Sequence, residues 1–209
     1  MSGVGKQLVM LDPPRCLMKI RDSGMPAEEV WASFFDPQTT LHTLELTSTC
    51  HDVVEFGCGY GTFTVPAARM VSGTMYALDL EPKMISHTGA CVDEAGLTNV
   101  QFIERDFIAD GTGLADGIAD YVMLFNILHP ERPVELLHEA RRNLREGGVL
   151  GIIHWNYDAT TPRGPDMQFR PRPEQISQWA EQAGFEPLGD GLVNLEPYHY
   201  GMALRTRAD

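Results

Sequence analysis

The 209-residue chain has no apolar run approaching the roughly 20 residues that a membrane-spanning helix needs, so no membrane role is expected. Positive charge is scarce: 16 Lys and Arg stand against 29 Asp and Glu, a net charge of −13. Most of such a surface repels a phosphodiester backbone, which argues against a nucleic-acid partner. Arg163, Arg170 and Arg172 form the one basic cluster, and Arg141 with Arg142 reads as an exposed helix face. Cysteine is sparse and scattered (Cys16, Cys50, Cys58, Cys91) with no C-x-x-C pair, so neither a disulfide framework nor a metal site is expected. Residues 1–10 lack the charged-then-apolar layout of a signal peptide, which makes a cytoplasmic protein the expectation. Repeats and low-complexity linkers are missing too. Hydrophobic residues at 43% and charged residues at 22% suit a soluble globular chain.

What is present alternates between two periodicities. Strand-like runs cover residues 52–56, 74–78, 100–104, 121–125 and 149–155. Helical runs lie at 62–71, 82–95, 133–144 and 173–183, three of them opened by proline and the last ended by Gly184. The order implies parallel strand–helix–strand units: a doubly wound, mostly parallel seven-stranded α/β sheet with helices on both faces. Residues 187–195 and 199–205 have no helix between them, so they read as an antiparallel C-terminal hairpin. Ahead of the sheet, Pro26 and two glutamates open a helix carrying Val30, Trp31 and Phe34. Asp36-Pro37 then caps another that runs to about Leu46. Residues 1–46 are read as a helical cover and 47–209 as the ligand-binding domain.

Glycines alternate in Glu55-Phe56-Gly57-Cys58-Gly59-Tyr60-Gly61, directly after a buried strand. Without Cβ atoms the backbone turns sharply and approaches a ligand closely. Asp79 ends the second strand about 20 residues later, where a carboxylate accepts from vicinal ribose hydroxyls. Asp106-Phe107 follows the third strand, suited to an adenine amino group and the base face. Phe125-Asn126 follows the fourth and lines the same crevice. The succession of groups at the strand ends points to an adenosine-containing ligand.

These segments, together with Tyr76-Ala77-Leu78-Asp79-Leu80-Glu81-Pro82, Leu144-Arg145-Glu146-Gly147-Gly148 and Ala183-Gly184-Phe185, resemble class I (Rossmann-like) S-adenosylmethionine (SAM)-dependent methyltransferases. The resemblance implies SAM as cofactor. It places Gly57, Gly59 and Gly61 against the methionine part, Asp79 on the ribose and Asp106 on the adenine. Glu55, Cys58, Leu80, Phe107, Phe125 and Asn126 complete the expected cofactor wall. A nicotinamide-dependent oxidoreductase fits less well, because its third glycine falls one position later and Glu55 would repel a pyrophosphate. A catalytically silent SAM-binding module is the other alternative.

Methyl transfer is an in-line displacement that needs an aligned nucleophile and often a base. His129 and His154, just beyond the fourth strand and at the end of the fifth, are the candidate bases. His199 reads as structural. The acceptor is expected to be a small molecule: no Asn-Pro-Pro-Tyr loop, paired-glutamate loop or cysteine cluster points elsewhere. Arg21, Trp31, Trp155, Tyr157 and Arg163 are candidate acceptor contacts, and the segment from Arg163 to Arg172 hints at an acidic group on the acceptor. Residues 18–35 are expected to fold over the cofactor as a lid.

Overall fold

The computed structural model describes residues 26–129, 132–161 and 164–207. Seven strands share one sheet: β1 (Val53–Phe56), β2 (Met75–Asp79), β3 (Val100–Glu104), β4 (Ala119–Phe125), β5 (Leu144–Trp155), β6 (Phe185–Leu195) and β7 (His199–Thr206). Their order is β3-β2-β1-β4-β5-β7-β6. All adjacent pairs are parallel except the two that β7 makes, with β5 and β6. The helices are α1 (Glu28–Ala32), α2 (Pro37–Thr43), α3 (Thr64–Met70), α4 (Pro82–Glu94), α5 (Phe107–Asp110), α6 (Pro133–Asn143) and α7 (Pro173–Gln182). The expected doubly wound sheet with an antiparallel terminal hairpin is the fold observed.

Pleat alternation explains the layers. Val54, Phe56, Val122, Leu124 and Ile152 face the layer holding α6 and α7. Their neighbours Val53, Tyr121, Met123 and Ile153 face α2 and α3. Both faces of the central strands are therefore buried, as a parallel sheet flanked by helices requires. Proline opens α2, α4, α6 and α7, where its missing N–H costs nothing. Asp36 caps α2 by accepting from the Thr39 backbone N–H at 3.1 Å. Pro66 sits in the first turn of α3, the position where a helix tolerates it.

Two local readings change. β5 starts at Leu144, ahead of the glycine pair read as a helix stop. Its register with β4 jumps from Ala119↔Leu144 to Tyr121↔Val149, so the glycines lie inside a bulge. Arg145 within it donates to Asp52 and Asp120, each at 2.7 Å, and ties the bulge to the amino end of β1. Arg142 is likewise no free surface charge: it donates to Glu139, Asp116 and the Leu114 carbonyl. That pairing holds the Glu139 carboxyl down at about 2.

The segment preceding β1 is bolted to the sheet. Leu41, Leu44 and Leu46 are wholly buried, and the Tyr121 hydroxyl donates to the Leu44 carbonyl at 2.7 Å. Gly151, on the neighbouring strand, leaves room for that phenol, since a Cβ there would lie 2.0 Å from its oxygen. Tyr121→Phe strands a buried carbonyl, and we expect a loss of about 1–3 kcal/mol by chemical denaturation with SAM affinity unchanged.

Candidate functional site

The strand carboxyl ends converge on the turn after β1. Gly57, Gly59 and Gly61 all take positive φ (+79°, +52° and +79°), a conformation that L side chains rarely adopt. The turn is pinned from the next strand. The Gly57 and Cys58 N–H groups both donate to the Leu78 carbonyl at 2.8 Å. Asp79 accepts from Gly59 N–H through one oxygen and from Glu81 N–H through the other, both at 2.9 Å. From α4, the Thr88 hydroxyl donates to the Gly59 carbonyl at 2.7 Å, and a Cβ on Gly61 would collide with its methyl group at 2.9 Å.

Two buried carboxyls stand behind this turn. Glu55 accepts from the Thr64 hydroxyl at 2.5 Å. Burial pushes its carboxyl up to about 8; the Thr64 hydrogen bond opposes the rise and the Asp79 charge adds to it. Burial also raises Asp79, against the pull of its two backbone donors. Cys58 is buried, and desolvation holds its thiol well above the usual range. Leu80, by contrast, is among the few large apolar side chains left exposed.

Asp106 caps α5 by accepting from Ala109 N–H at 3.0 Å, and Phe107 packs edge-on against Phe56 beneath Gly57. At the end of β4, Asn126 takes φ +59°, and its amide nitrogen and oxygen are both shielded with no partner among the described residues. A strained asparagine with an orphaned amide is the kind of outlier that marks a ligand site.

Histidines occupy the far side. His129 and His154 meet edge to face at 5.6 Å. His129 Nδ1 lies 3.3 Å from the Phe169 carbonyl, which can only accept, so Nδ1 carries the proton and Nε2 keeps its lone pair. Burial lowers the pKa of His129 and, far more, that of His154, whose two nitrogens have no partner among the described residues. His199 is similarly enclosed and held down at about 3 by burial.

Aromatic rings close this end of the sheet. Trp31 and Phe34 are buried against His199, and Phe34 also meets Trp155 and Tyr198. Phe35 carries the contact on to Phe63, which meets Phe125 at the end of β4. The Tyr60 hydroxyl, within the glycine turn, donates to the Pro26 carbonyl at 3.2 Å.

Residues 53–148 match a family model described as a methyltransferase domain. Over this span the chain is similar to class I SAM-dependent methyltransferases. That similarity points to SAM as the cofactor. The chain is similar to a probable methyltransferase, ltbC, of Aspergillus luteorubrus, 29% identical over 55% of this chain and 44% of that protein. It also resembles the ribosomal protein L11 methyltransferase of Methylococcus capsulatus, 29% identical over 63% of this chain and 44% of that one. The chain thus spans less than half the length of these curated relatives. A crystal structure of a SAM-dependent methyltransferase from Aquifex aeolicus shares the fold, with a TM-score of 0.75 at 23% identity over 91% of this chain and 98% of that one.

The residues singled out from the sequence fall into two groups in the structure. Glu55, the three glycines, Cys58, Asp79 and Leu80 gather around one turn, with Asn126 and Phe125 across from them. Trp31 and Trp155 share the aromatic cluster, whereas Tyr157 stacks under the Arg172 guanidinium at 3.8 Å. Arg170 faces inward, donating to the Pro165, Asn156 and Asp158 carbonyls, so the basic cluster does not present a continuous surface. Arg21 and Arg163 lie outside the described residues. Thr64 and Thr88, which hold the site together, escaped notice because a threonine inside a helix carries no local signal.

Glu55 sets a pH dependence. Its folded carboxyl lies above the ordinary 4.5, so the stability it contributes is present below pH 4.5 and is lost as pH rises towards 8. Denaturation curves taken across that window should show the decline in the ligand-free protein and its removal in Glu55→Gln.

Proposed function

We propose that the protein transfers the methyl group of SAM to a small organic acceptor held between the ends of β4 and β5 and the segment from Pro26 to Phe35. The observation that carries this reading is the aromatic cover: Trp31 and Phe34 are pressed onto Trp155, Tyr198 and His199 where the strands end. Closure of this kind orients an acceptor and keeps water out, and it favours a molecule that can be enclosed over a polymer. The net charge of −13 further disfavours a nucleic-acid acceptor.

The chain's own residues divide the work. Asp79 retains lone pairs beyond the two that accept from Gly59 and Glu81, and these take the ribose hydroxyls. Glu55 faces the cofactor's ammonium group, directly or through water, and ionises beside it. Gly57, Gly59 and Gly61, with Cys58 and Leu80, form the wall of the methionine part. Asp106 and Phe107 receive the adenine, and Asn126 offers its free amide across the crevice beside Phe125. SAM supplies a methyl group on a sulfonium, ready for displacement. His129, protonated on Nδ1, uses Nε2 to take the proton from the acceptor as it attacks, and His154 lies beside it as a second neutral imidazole. Trp31 and Trp155 form the acceptor wall, with Tyr157 at its rim.

Four measurements test this reading. Asp79→Ala should weaken SAM binding by about 1–3 kcal/mol in a calorimetric titration. His129→Asn keeps a donor for the Phe169 carbonyl but removes the base, and should lower kcat about 10²–10⁴-fold without changing SAM affinity. In the parent protein the rate should rise with pH only below the ordinary histidine value of 6.5 and stay flat above it, because burial lowers the His129 pKa. Finally, labelled SAM incubated with cell extract should transfer label to the small-molecule fraction. Label found only on protein or RNA would overturn the acceptor assignment while leaving the cofactor site intact.

A further inference from the structure

We propose a divalent-cation site of the zinc type formed by Cys91, His87 and Glu28, at the seam between the N-terminal segment and the cofactor turn. The three side chains each offer one ligand atom, and these atoms all lie within 4.8 Å of one another. His87 and Cys91 are four residues apart on α4, so they project from the same face one turn apart. Glu28, on α1, reaches that face from across the seam, with its carboxylate oxygen 3.1 Å from His87 Nε2. That contact is close but is not a hydrogen bond: Nε2 is shielded from solvent and lacks a hydrogen-bond partner among the described residues. Two ligand atoms this close, without the alignment of a hydrogen bond, leave room for a shared cation.

Bond lengths agree with this. Zinc binds nitrogen and oxygen at about 2.0–2.2 Å and thiolate at about 2.3 Å, which puts tetrahedral ligand atoms about 3.3–3.6 Å apart. The nitrogen–oxygen pair, at 3.1 Å, is already near that spacing, and the sulfur lies within 4.8 Å of both atoms. A thiolate, an imidazole and a single carboxylate select zinc or cobalt over magnesium or calcium, which demand more oxygen ligands. Binding releases one proton, from the Cys91 thiol to solvent, and leaves a fourth position for water. The sequence gives no hint of the site, because its ligands are not a C-x-x-C pair but two positions on one helix and one on another.

The placement has a consequence. His87 packs edge-on against Tyr60, which belongs to the cofactor turn and holds the Pro26 carbonyl. A cation here staples α1, and with it Trp31 and Phe34, to the helix that follows Asp79. It therefore governs whether the cover stays closed. The proposal stands on these contacts alone and does not depend on which acceptor is methylated.

The test is titration of cobalt(II), then zinc, into the reduced full-length protein. One cobalt per chain should bind with tetrahedral visible bands and a thiolate-to-cobalt charge-transfer band. Cys91→Ser should abolish the charge-transfer band. His87→Gln and Glu28→Gln should weaken binding by at least the roughly 10–100-fold that losing even an outer-sphere partner costs, whereas His138→Gln should not. Zinc should slow hydrogen exchange in residues 26–35 and, in the unmodified protein, protect Cys91 from alkylation, a readout that needs no variant to fold. An octahedral spectrum without charge transfer, or Cys91 alkylation at the same rate with and without zinc, would overturn the proposal.

Discussion

Asp79 is the residue on which the rest of the site depends. Its two oxygens join the turn after β1 to the start of α4, and the carbonyl just before it anchors two further N–H groups of that turn. A carboxylate doing this in a buried place is costly to desolvate, and the cost is offset only because backbone donors surround it. The geometry of the glycine turn, the orientation of α4, and hence the position of Thr88, His87 and Cys91 all follow from that one constraint. Lengthening or neutralising the side chain therefore disturbs more than a single contact.

Around it the protein concentrates polar groups that a structural core avoids. Glu55 is buried with one hydroxyl partner. Asn126 holds a left-handed backbone and an unsatisfied amide. His154 and His199 are enclosed with no partner for either nitrogen among the described residues. Burying polar groups with few partners is costly, and the aromatic and aliphatic packing elsewhere compensates. Local inconsistency of this kind, gathered where the strands end beside the glycine turn, suits a binding end. At the opposite end of the strands, Arg145 donates to Asp52 and Asp120, and Asp120 also accepts from the His51 and Asp52 N–H groups.

The N-terminal segment has two parts with different physics. From Pro37 to Leu46 it contributes wholly buried leucines to the sheet's core and is held by Tyr121, so it moves only with the sheet. From Pro26 to Phe35 it touches the turn, α4 and the strand ends through rings, one backbone hydrogen bond and one carboxylate–imidazole contact. Contacts of that second kind exchange readily for a ligand or a cation. The strand ends are thus covered by a piece that a rigid piece holds nearby.

Periodicity and turn chemistry along the chain were enough to set the element order, the parallel sheet and its terminal hairpin, because alternation, proline starts and glycine stops act within a few residues. They were also enough to place the glycine turn and Asp79 at strand ends, since a doubly wound sheet always brings those ends together. Other features required the folded chain. Arg142 reads as an ordinary surface charge until residues far away in sequence arrive as partners. Thr64 and Thr88 gain meaning only beside Glu55 and Gly59. The start of β5 ahead of its glycines reflects a bulge set by its neighbour, not by its own residues. Whether a histidine is neutral, and which nitrogen carries its proton, depends on burial and on one carbonyl contributed from 40 residues away. Local sequence determines backbone preference over short range, whereas desolvation and long-range pairing arise only when distant segments meet.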